Sequence, residues 1–168
     1  DLTEESLRKS ISIIRQEPFI FNRTILENFK LIDPKVTLKE VKKYCKMACI
    51  DEYIESLPKK YDTILGEGGV NLSGGQKQRL SIARAIARNP EIYIFDDSFS
   101  ALDYKTDSVL RKELKKYTKD ATILIVAQRI GTIMNADKII VLDNGKCAGI
   151  GTHNELLKTC DVYKEIAL

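Results

Sequence analysis

The sequence predicts an α/β fold, a mainly parallel sheet with a mostly helical subdomain inserted into it. Short β-branched or apolar runs at residues 11–15, 92–95, 122–127 and 138–142 read as strands. Amphipathic segments alternate with the later runs, the element order of a layered α/β domain. A long helical stretch, residues 37–88, falls between the first and second runs. The chain of 168 residues is long enough for one domain with a true core and short for two. Hydrophobic residues at 43% and charged residues at 30% exclude a disordered chain. A net charge of +3, from 27 Lys+Arg against 24 Asp+Glu, is too small an excess to point to nucleic acid. No apolar run approaches the ~20 residues of a membrane span, and the start lacks the charged-then-apolar pattern of a secretory signal. Cys45, Cys49, Cys147 and Cys160 form no CxxC pair and His153 stands near only one of them, so no zinc site is expected. Reduced, structural thiols of a cytosolic compartment are the expectation.

Taken in order, residues 1–10 are polar and read as helix or loop, and residues 11–15 form the first strand. Thr37 and Glu40 stand in the spacing of a capping box, with Leu38, Val41, Cys45 and Ala48 following at helical intervals. This helix is expected to place Cys45 and Cys49 one turn apart. Residues 51–57 read as another helix, stopped by Pro58, and residues 63–71, with Gly66, Gly68 and Gly69, as a loop. Ser73 and Gln76 make a second capping box that opens a helix to about Arg88, ended by Asn89-Pro90. Residues 92–95 are continuously apolar, the pattern of a strand buried on both faces. Val109, Leu110 and Leu114 mark residues 105–117 as a helix, and residues 122–127 form the next apolar strand. Residues 138–142 are followed by Asn144-Gly145, the signal of a tight hairpin into residues 146–150. Thr152 and Glu155 open the last helical region through a third capping box.

The segment with the most chemical content is Leu72-Ser73-Gly74-Gly75-Gln76. Free N–H groups at a helix start, the helix dipole and the Ser73 hydroxyl together suit a phosphate, and the glycines allow close approach. By itself, Ser73 reads equally well as a helix cap. The pentapeptide, followed by Lys77-Gln78-Arg79 and Ala83-Arg84-Ala85, resembles the signature motif of the ATP-binding cassette (ABC) ATPases. Further motifs of that family stand in the same order. Gln16 after the first strand resembles its Q-loop, and Ile92-Tyr93-Ile94-Phe95-Asp96 its Walker B strand. Ser100-Ala101-Leu102-Asp103 resembles its D-loop. The run Thr63-Ile64-Leu65-Gly66-Glu67-Gly68-Gly69 and the ending Gly151-Thr152-His153-Asn154-Glu155-Leu156-Leu157 resemble features of exporter-type cassettes.

The resemblance implies a P-loop NTPase fold in which two cassettes sandwich two ATP molecules head to tail. Ser73, Gly74, Gly75 and Gln76 would then contact nucleotide held mainly by a second nucleotide-binding subunit. Asp96 would hold Mg²⁺ through water, Gln16 would sense γ-phosphate, metal or attacking water, and Asp103 would lie across the dimer interface. As an isolated residue Asp103 reads equally well as the cap of the helix that follows. Residues 30–90 or so would be the helical subdomain, with residues 1–29 and 91–168 parts of the core. The implied partners are that second subunit and a transmembrane domain, at the cytoplasmic face of a membrane. Phe19-Ile20-Phe21 would suit contact with a membrane-domain helix or, equally, core packing.

Three departures qualify the resemblance. The family's catalytic glutamate position holds Asp97, one methylene shorter, where reach matters to a general base. The switch-histidine position holds Gln128, which can hydrogen-bond a phosphate but cannot carry a proton. No G-x-x-x-x-G-K-[ST] loop occurs, so the Lys and backbone cradle for β/γ-phosphates are absent from these residues. The chain is therefore expected to be the C-terminal part of a nucleotide-binding domain, inactive by itself, with unpaired strand edges. The first two departures resemble the degenerate subunit of heterodimeric ABC exporters. A soluble ABC ATPase and a non-catalytic regulatory module are the alternatives. His153, within the C-terminal ending, is expected to pack or cap a helix.

Overall fold

Parallel pairing of two strands that are far apart in sequence sets the frame of the molecule. In the computed structural model, which describes residues 3–167, Ile11–Ile14 (β1) runs parallel to Ile92–Asp96 (β2), with Ile11 opposite Ile92 and Ile14 opposite Phe95. Parallel strands require a long connection, and here it is helical. Ile25–Lys30 (α2), Leu38–Met47 (α3), Asp51–Ser56 (α4) and Gly74–Ala87 (α5) all lie between β1 and β2. The short helix Glu4–Ser10 (α1) leads into β1; Asp1 and Leu2, at the start of the expected polar segment, lie outside the described residues. After β2 come Tyr104–Tyr117 (α6) and Thr122–Val126 (β3), which completes a sheet in the order β1-β2-β3.

Two compact units are distinguished, residues 1–124 and residues 125–168. The first is built on Ile14, Phe29, Val41, Leu80, Ile82 and Phe95, all fully buried, with α5 packed against α3 and β1. The second contains Ile130–Ile133 (α7), the antiparallel pair Ile139–Asp143 (β4) and Lys146–Gly151 (β5), and the helices His153–Thr159 (α8) and Asp161–Ala167 (α9). Its own core is Ile139, Val141, Leu156, Cys160 and Tyr163. The β4–β5 turn is the expected one. Asn144 and Gly145 take φ of 46° and 74°, the pair of positive values that a type I′ hairpin demands.

The three capping boxes read from sequence form: Thr37 with Glu40, Ser73 with Gln76, and Thr152 with Glu155. A fourth, Thr24 with Glu27 at the start of α2, has the same spacing and adds to those expected. Two expectations need correction, the spacing of Cys45 and Cys49 on one helix and the burial of both faces of β2. The third helix stops at Met47, so Cys45 and Cys49 do not share a helical face. Its end is a Schellman motif, in which Cys49 N donates to Lys46 O and Ile50 N to Cys45 O. Cys49 takes the left-handed position with φ of 56° where glycine is usual. Strand β2 is not buried on both faces, because Tyr93 and Phe95 are buried while Ile92 and Ile94 are only half-buried. Strand β3 is an edge strand with Ile123, Leu124 and Val126 at 39%, 48% and 51% exposure. Its apolar sequence reports the chemistry of its faces and not a covering layer in this structure. The expected last helical region is two helices, α8 and α9.

Candidate functional site

The register of β1 on β2 builds the first part of the site. Ile14 pairs with Phe95, so Gln16 and Asp97, each two residues further on, emerge side by side at one end of the sheet. Gln16 Nε2 donates to Asp97 Oδ2 at 3.1 Å. Gln16 is exposed and Asp97 half-buried. Asp97 has a φ of 47°, in the left-handed region that Asp enters more readily than most residues. Its carbonyl accepts from Ser100 Oγ at 2.8 Å, which closes the turn after β2. Asp96, the last residue of β2, is exposed at the strand end.

The turn is anchored from below. Ser98 is buried and its Oγ donates to Ile14 O at 2.6 Å. The ring of Phe99 stacks on Phe95 at 5.0 Å, and the Arg111 guanidinium lies 4.1 Å over Phe99. Asp103 then caps α6, accepting from Thr106 N at 3.0 Å and from Thr106 Oγ1 at 2.6 Å. The Thr106 hydroxyl, followed by the Thr106 amide, holds the Asp103 carboxyl below the usual aspartate value.

The second part is the first turn of α5. Ser73 Oγ accepts from Gln76 N at 3.3 Å, and Gln76 Oε1 accepts from Ser73 N at 2.8 Å. Ser73 and Gly74 are exposed, and Gly75 and Gln76 are half-buried. The amides of this turn sit at the positive end of a 14-residue helix, an arrangement that favours an anion. A Cβ on Gly75 would come 3.3 Å from Ala101 O and 3.5 Å from Leu102 Cδ2, whereas one on Gly74 would meet nothing within 4 Å. Glycine at 75 therefore lets the 101–102 segment lie against the start of α5. Behind it, Arg79 Nε donates to Gly75 O at 3.3 Å and Arg79 Nη1 to Cys49 O at 2.5 Å. Gln78 Nε2 donates to Arg15 O at 3.0 Å.

The structure thus brings Gln16 to Asp97 and Gly75 to the 101–102 segment. Gln128 is exposed beyond β3 and belongs to the second unit. His153 Nδ1 is 2.8 Å from the Tyr163 hydroxyl, with the rings edge to face, which is the packing role expected of it. In the Phe19-Ile20-Phe21 run only Ile20 is core, at 1% exposure, while Phe19 stands 69% exposed. Among the described residues no group of three or more His, Cys, Asp or Glu converges as a metal site. Sequence reasoning did not assign roles to Ser98, Gln78 or Arg79. The last two stand inside the Lys77-Gln78-Arg79 run, but their partners lie on distant segments that no local pattern announces.

Residues 1–100 match the family described as ABC transporter. The chain belongs to the ABC transporter family. It is 42% identical over 157 residues to the alpha-hemolysin translocation ATP-binding protein HlyB of Escherichia coli O157:H7, covering 94% of this chain and 22% of that protein. It is 45% identical over 166 residues to a putative multidrug export ATP-binding/permease protein of Staphylococcus aureus, covering 99% of this chain and 29% of that relative. The solved structure of a bacterial Atm1-family ABC exporter with ATP bound superposes with a TM-score of 0.94 at 38% identity, covering 98% of this chain and 29% of that one. The chain therefore has the ABC fold and spans less than a third of the length of these relatives.

Proposed function

We propose that this chain is the C-terminal portion of the nucleotide-binding domain of an ABC exporter, coupling ATP binding and hydrolysis to transport across a membrane. The parent would work at the cytoplasmic face of that membrane, with a transmembrane domain and a second nucleotide-binding subunit as partners. In this reading α3 to α5, within residues 30–90 or so, are the helical subdomain that carries the signature turn. No helix among the described residues is long and apolar enough to cross a membrane, so the membrane-spanning part would lie outside them.

The reading assigns two unequal roles. Ser73, Gly74, Gly75 and Gln76 present a hydroxyl and helix-start amides to the γ-phosphate of nucleotide held by the partner. This chain's own site would be hydrolysis-impaired. The observation that carries this is the Asp97 carboxylate, short for a general base and already engaged by Gln16 at 3.1 Å. Gln128 contributes an amide where proton relay would need an imidazole. A second, different chain as partner follows, because two such subunits would make no competent site.

Mg²⁺ fits the residues present in a limited way. Asp96 offers one exposed, hard carboxylate at the strand end, and among the described residues no group of three or more ligating side chains converges there. Such a donor set suits an ion held largely by water and phosphate oxygens, which would neutralise charge on the phosphates. Asp103, engaged as a helix cap, would fix the segment that reaches the dimer interface. Residues 1–168 supply no G-x-x-x-x-G-K-[ST] loop, so by themselves they would bind ATP weakly and turn none over.

The test is ATPase turnover of the full-length protein assembled with its partner. Changing Ser73 should abolish most turnover, while Asp97→Glu should leave it unchanged or raise it. Loss of all turnover in Asp97→Ala would contradict the impaired-site assignment.

A further inference from the structure

Helix α3 presents to solvent a face that the nucleotide chemistry does not use. Its inward face carries Val41, Cys45 and Ala48, all fully buried. At 3.6 residues per turn, Lys39, Lys43 and Lys46 fall within about 60° of one another on the opposite side and span ~10 Å of helix. All three are exposed. Beside this stripe lies an open cleft of about 700 Å³, whose lining includes Lys39, Lys42, Lys43, Lys46, Glu55 and Tyr61. Tyr61 is buried there, with the Lys42 ammonium 5.5 Å from its ring centroid.

The acidic groups of the cleft are largely committed already. Glu55 pairs with Lys42 at 2.7 Å and with Lys60 at 2.9 Å. Glu40 Oε2 accepts from Thr37 N at 2.8 Å and from Thr37 Oγ1 at 2.7 Å, inside the cap of α3. Lys43 acts on the Glu40 charge through space. Asp51 stands in the first turn of α4, where the helix dipole favours its charge. Lys39, Lys43 and Lys46 make no ion pair among the described residues. The face therefore carries three cations in one line, one helical turn apart, beside an apolar ring.

We propose that this face of α3 is a docking surface for an acidic helix of another protein, with carboxylates at i, i+4 and i+7 and one apolar residue seated in the cleft by Tyr61. The sign of the occupant follows from charge complementarity, and its spacing from the common rise of two helices. The cleft is too open to cover most of a small ligand's surface, as a small-molecule site would. A dense polyanion, a polyphosphate or a nucleic acid, would also press its charge on Glu40, Asp51 and Glu55. Carboxylates one turn apart meet the lysines alone, and the lysine stems offer apolar surface around them. Nothing in the docking surface depends on the ATPase chemistry proposed for the chain.

The test uses the full-length protein with its partner chain and a fluorescein-labelled, hydrocarbon-stapled helical peptide of about four turns. The peptide carries Glu at i, i+4 and i+7 with one Leu between them, and fluorescence anisotropy gives its Kd. Lys39→Gln/Lys43→Gln/Lys46→Gln should weaken binding about tenfold, the sum of three exposed pairs. Raising salt from ~0.05 to ~0.2 M should weaken wild-type binding severalfold. Lys112→Gln/Lys115→Gln, on exposed positions of α6, should leave Kd within about twofold. Lys39→Glu/Lys43→Glu/Lys46→Glu should reverse the preference, taking up a peptide with Lys in place of Glu and rejecting the original. A stapled peptide of the same composition with its Glu residues moved off that spacing should bind at least about threefold more weakly. ATPase turnover and thermal midpoint should stay at wild-type values in all these variants, because the side chains changed are exposed. The proposal is refuted if wild type shows no saturable binding or if the Gln triple variant binds as well as wild type. It is refuted equally if the rearranged peptide, or inorganic tripolyphosphate, binds as tightly as the ordered one, since the stripe is then a general anion patch. An assembly that binds the peptide but shows no ATPase turnover would overturn the proposed function and leave the docking surface standing.

Discussion

The proposed function gives Ser73 a second role beside its helix cap, and one substitution separates the two. As the N-cap of α5 it accepts from Gln76 N at 3.3 Å, inside a reciprocal box closed by Gln76 Oε1 at 2.8 Å from Ser73 N. As a phosphate contact it offers a hydroxyl from an exposed position. Ser73→Ala loses both roles. The lost cap costs about 1 kcal/mol, a fall of roughly 2–4 °C in Tm for a domain of this size. The lost hydrogen bond to a charged ligand should lower turnover about 10- to 100-fold. Ser73→Asp keeps the cap, since Asp caps as well as Ser, and adds a negative charge where the helix dipole welcomes one. Its stability should equal or slightly exceed wild type. Facing a phosphate oxygen at ~4 Å, however, the new carboxylate costs about 4 kcal/mol per unit charge at an effective dielectric of ~20. Turnover should therefore fall about a thousandfold. Thermal unfolding of the purified protein and steady-state ATPase of the two-chain assembly read the two effects separately. A Ser73→Asp assembly that turns over within tenfold of wild type would show that Ser73 is only a cap.

Further expectations concern neighbouring groups. Asp97→Asn keeps a residue tolerated at φ of 47° and should leave stability unchanged. Asp97→Glu puts a longer side chain in that left-handed position and should cost up to about 1 kcal/mol, measured by urea unfolding, without lowering turnover of the assembly. The Cys45 thiol is pushed up to about 12 from 9.0, first by burial, with the nearby Tyr61 hydroxyl acting in the opposite sense. The folded state then keeps a proton that the unfolded chain releases, so this stability is whole below pH 9 and is lost as pH rises toward 12. Urea midpoints taken across that range should fall less steeply in Cys45→Ala than in wild type. On the acid side, the amide and then the hydroxyl of Thr24 and of Thr152 hold Glu27 and Glu155 below 4.5, and the Thr37 hydroxyl and then its amide do the same for Glu40. The stability these contribute is present above 4.5 and is lost as pH falls through their lowered values; replacing all three by Gln should flatten the acid limb of the unfolding curve.

Much of the architecture could be read from local chemistry. Capping boxes at Thr37, Ser73 and Thr152 depend on residues three apart, and the Asn144-Gly145 turn on two adjacent ones, so nothing distant can overrule them. The box at Thr24 rests on the same local spacing, with Glu27 three residues on. The end of α3 was misjudged because Cys49, which carries no glycine signal, takes the left-handed position of the Schellman motif. The exposure of β3 could not be read, since an apolar strand looks the same whether or not another layer covers it. The residues of the site were legible as types in order, but their meeting was not. Gln16 reaches Asp97 only through the parallel register that sets Ile14 opposite Phe95, a pairing across 81 residues. The bonds of Ser98 and Gln78 to the same strand end depend on that register too.

The central claim is that this chain completes its partner's catalytic site while its own site hydrolyses poorly. Trapping of nucleotide by orthovanadate tests it directly, because the trapped species forms only where hydrolysis occurs. With a photoreactive ATP analogue and the full-length two-chain assembly, label should accumulate on the partner chain and disappear when Ser73 of this chain is changed to Asp. Label on this chain, insensitive to Ser73→Asp, would contradict the account.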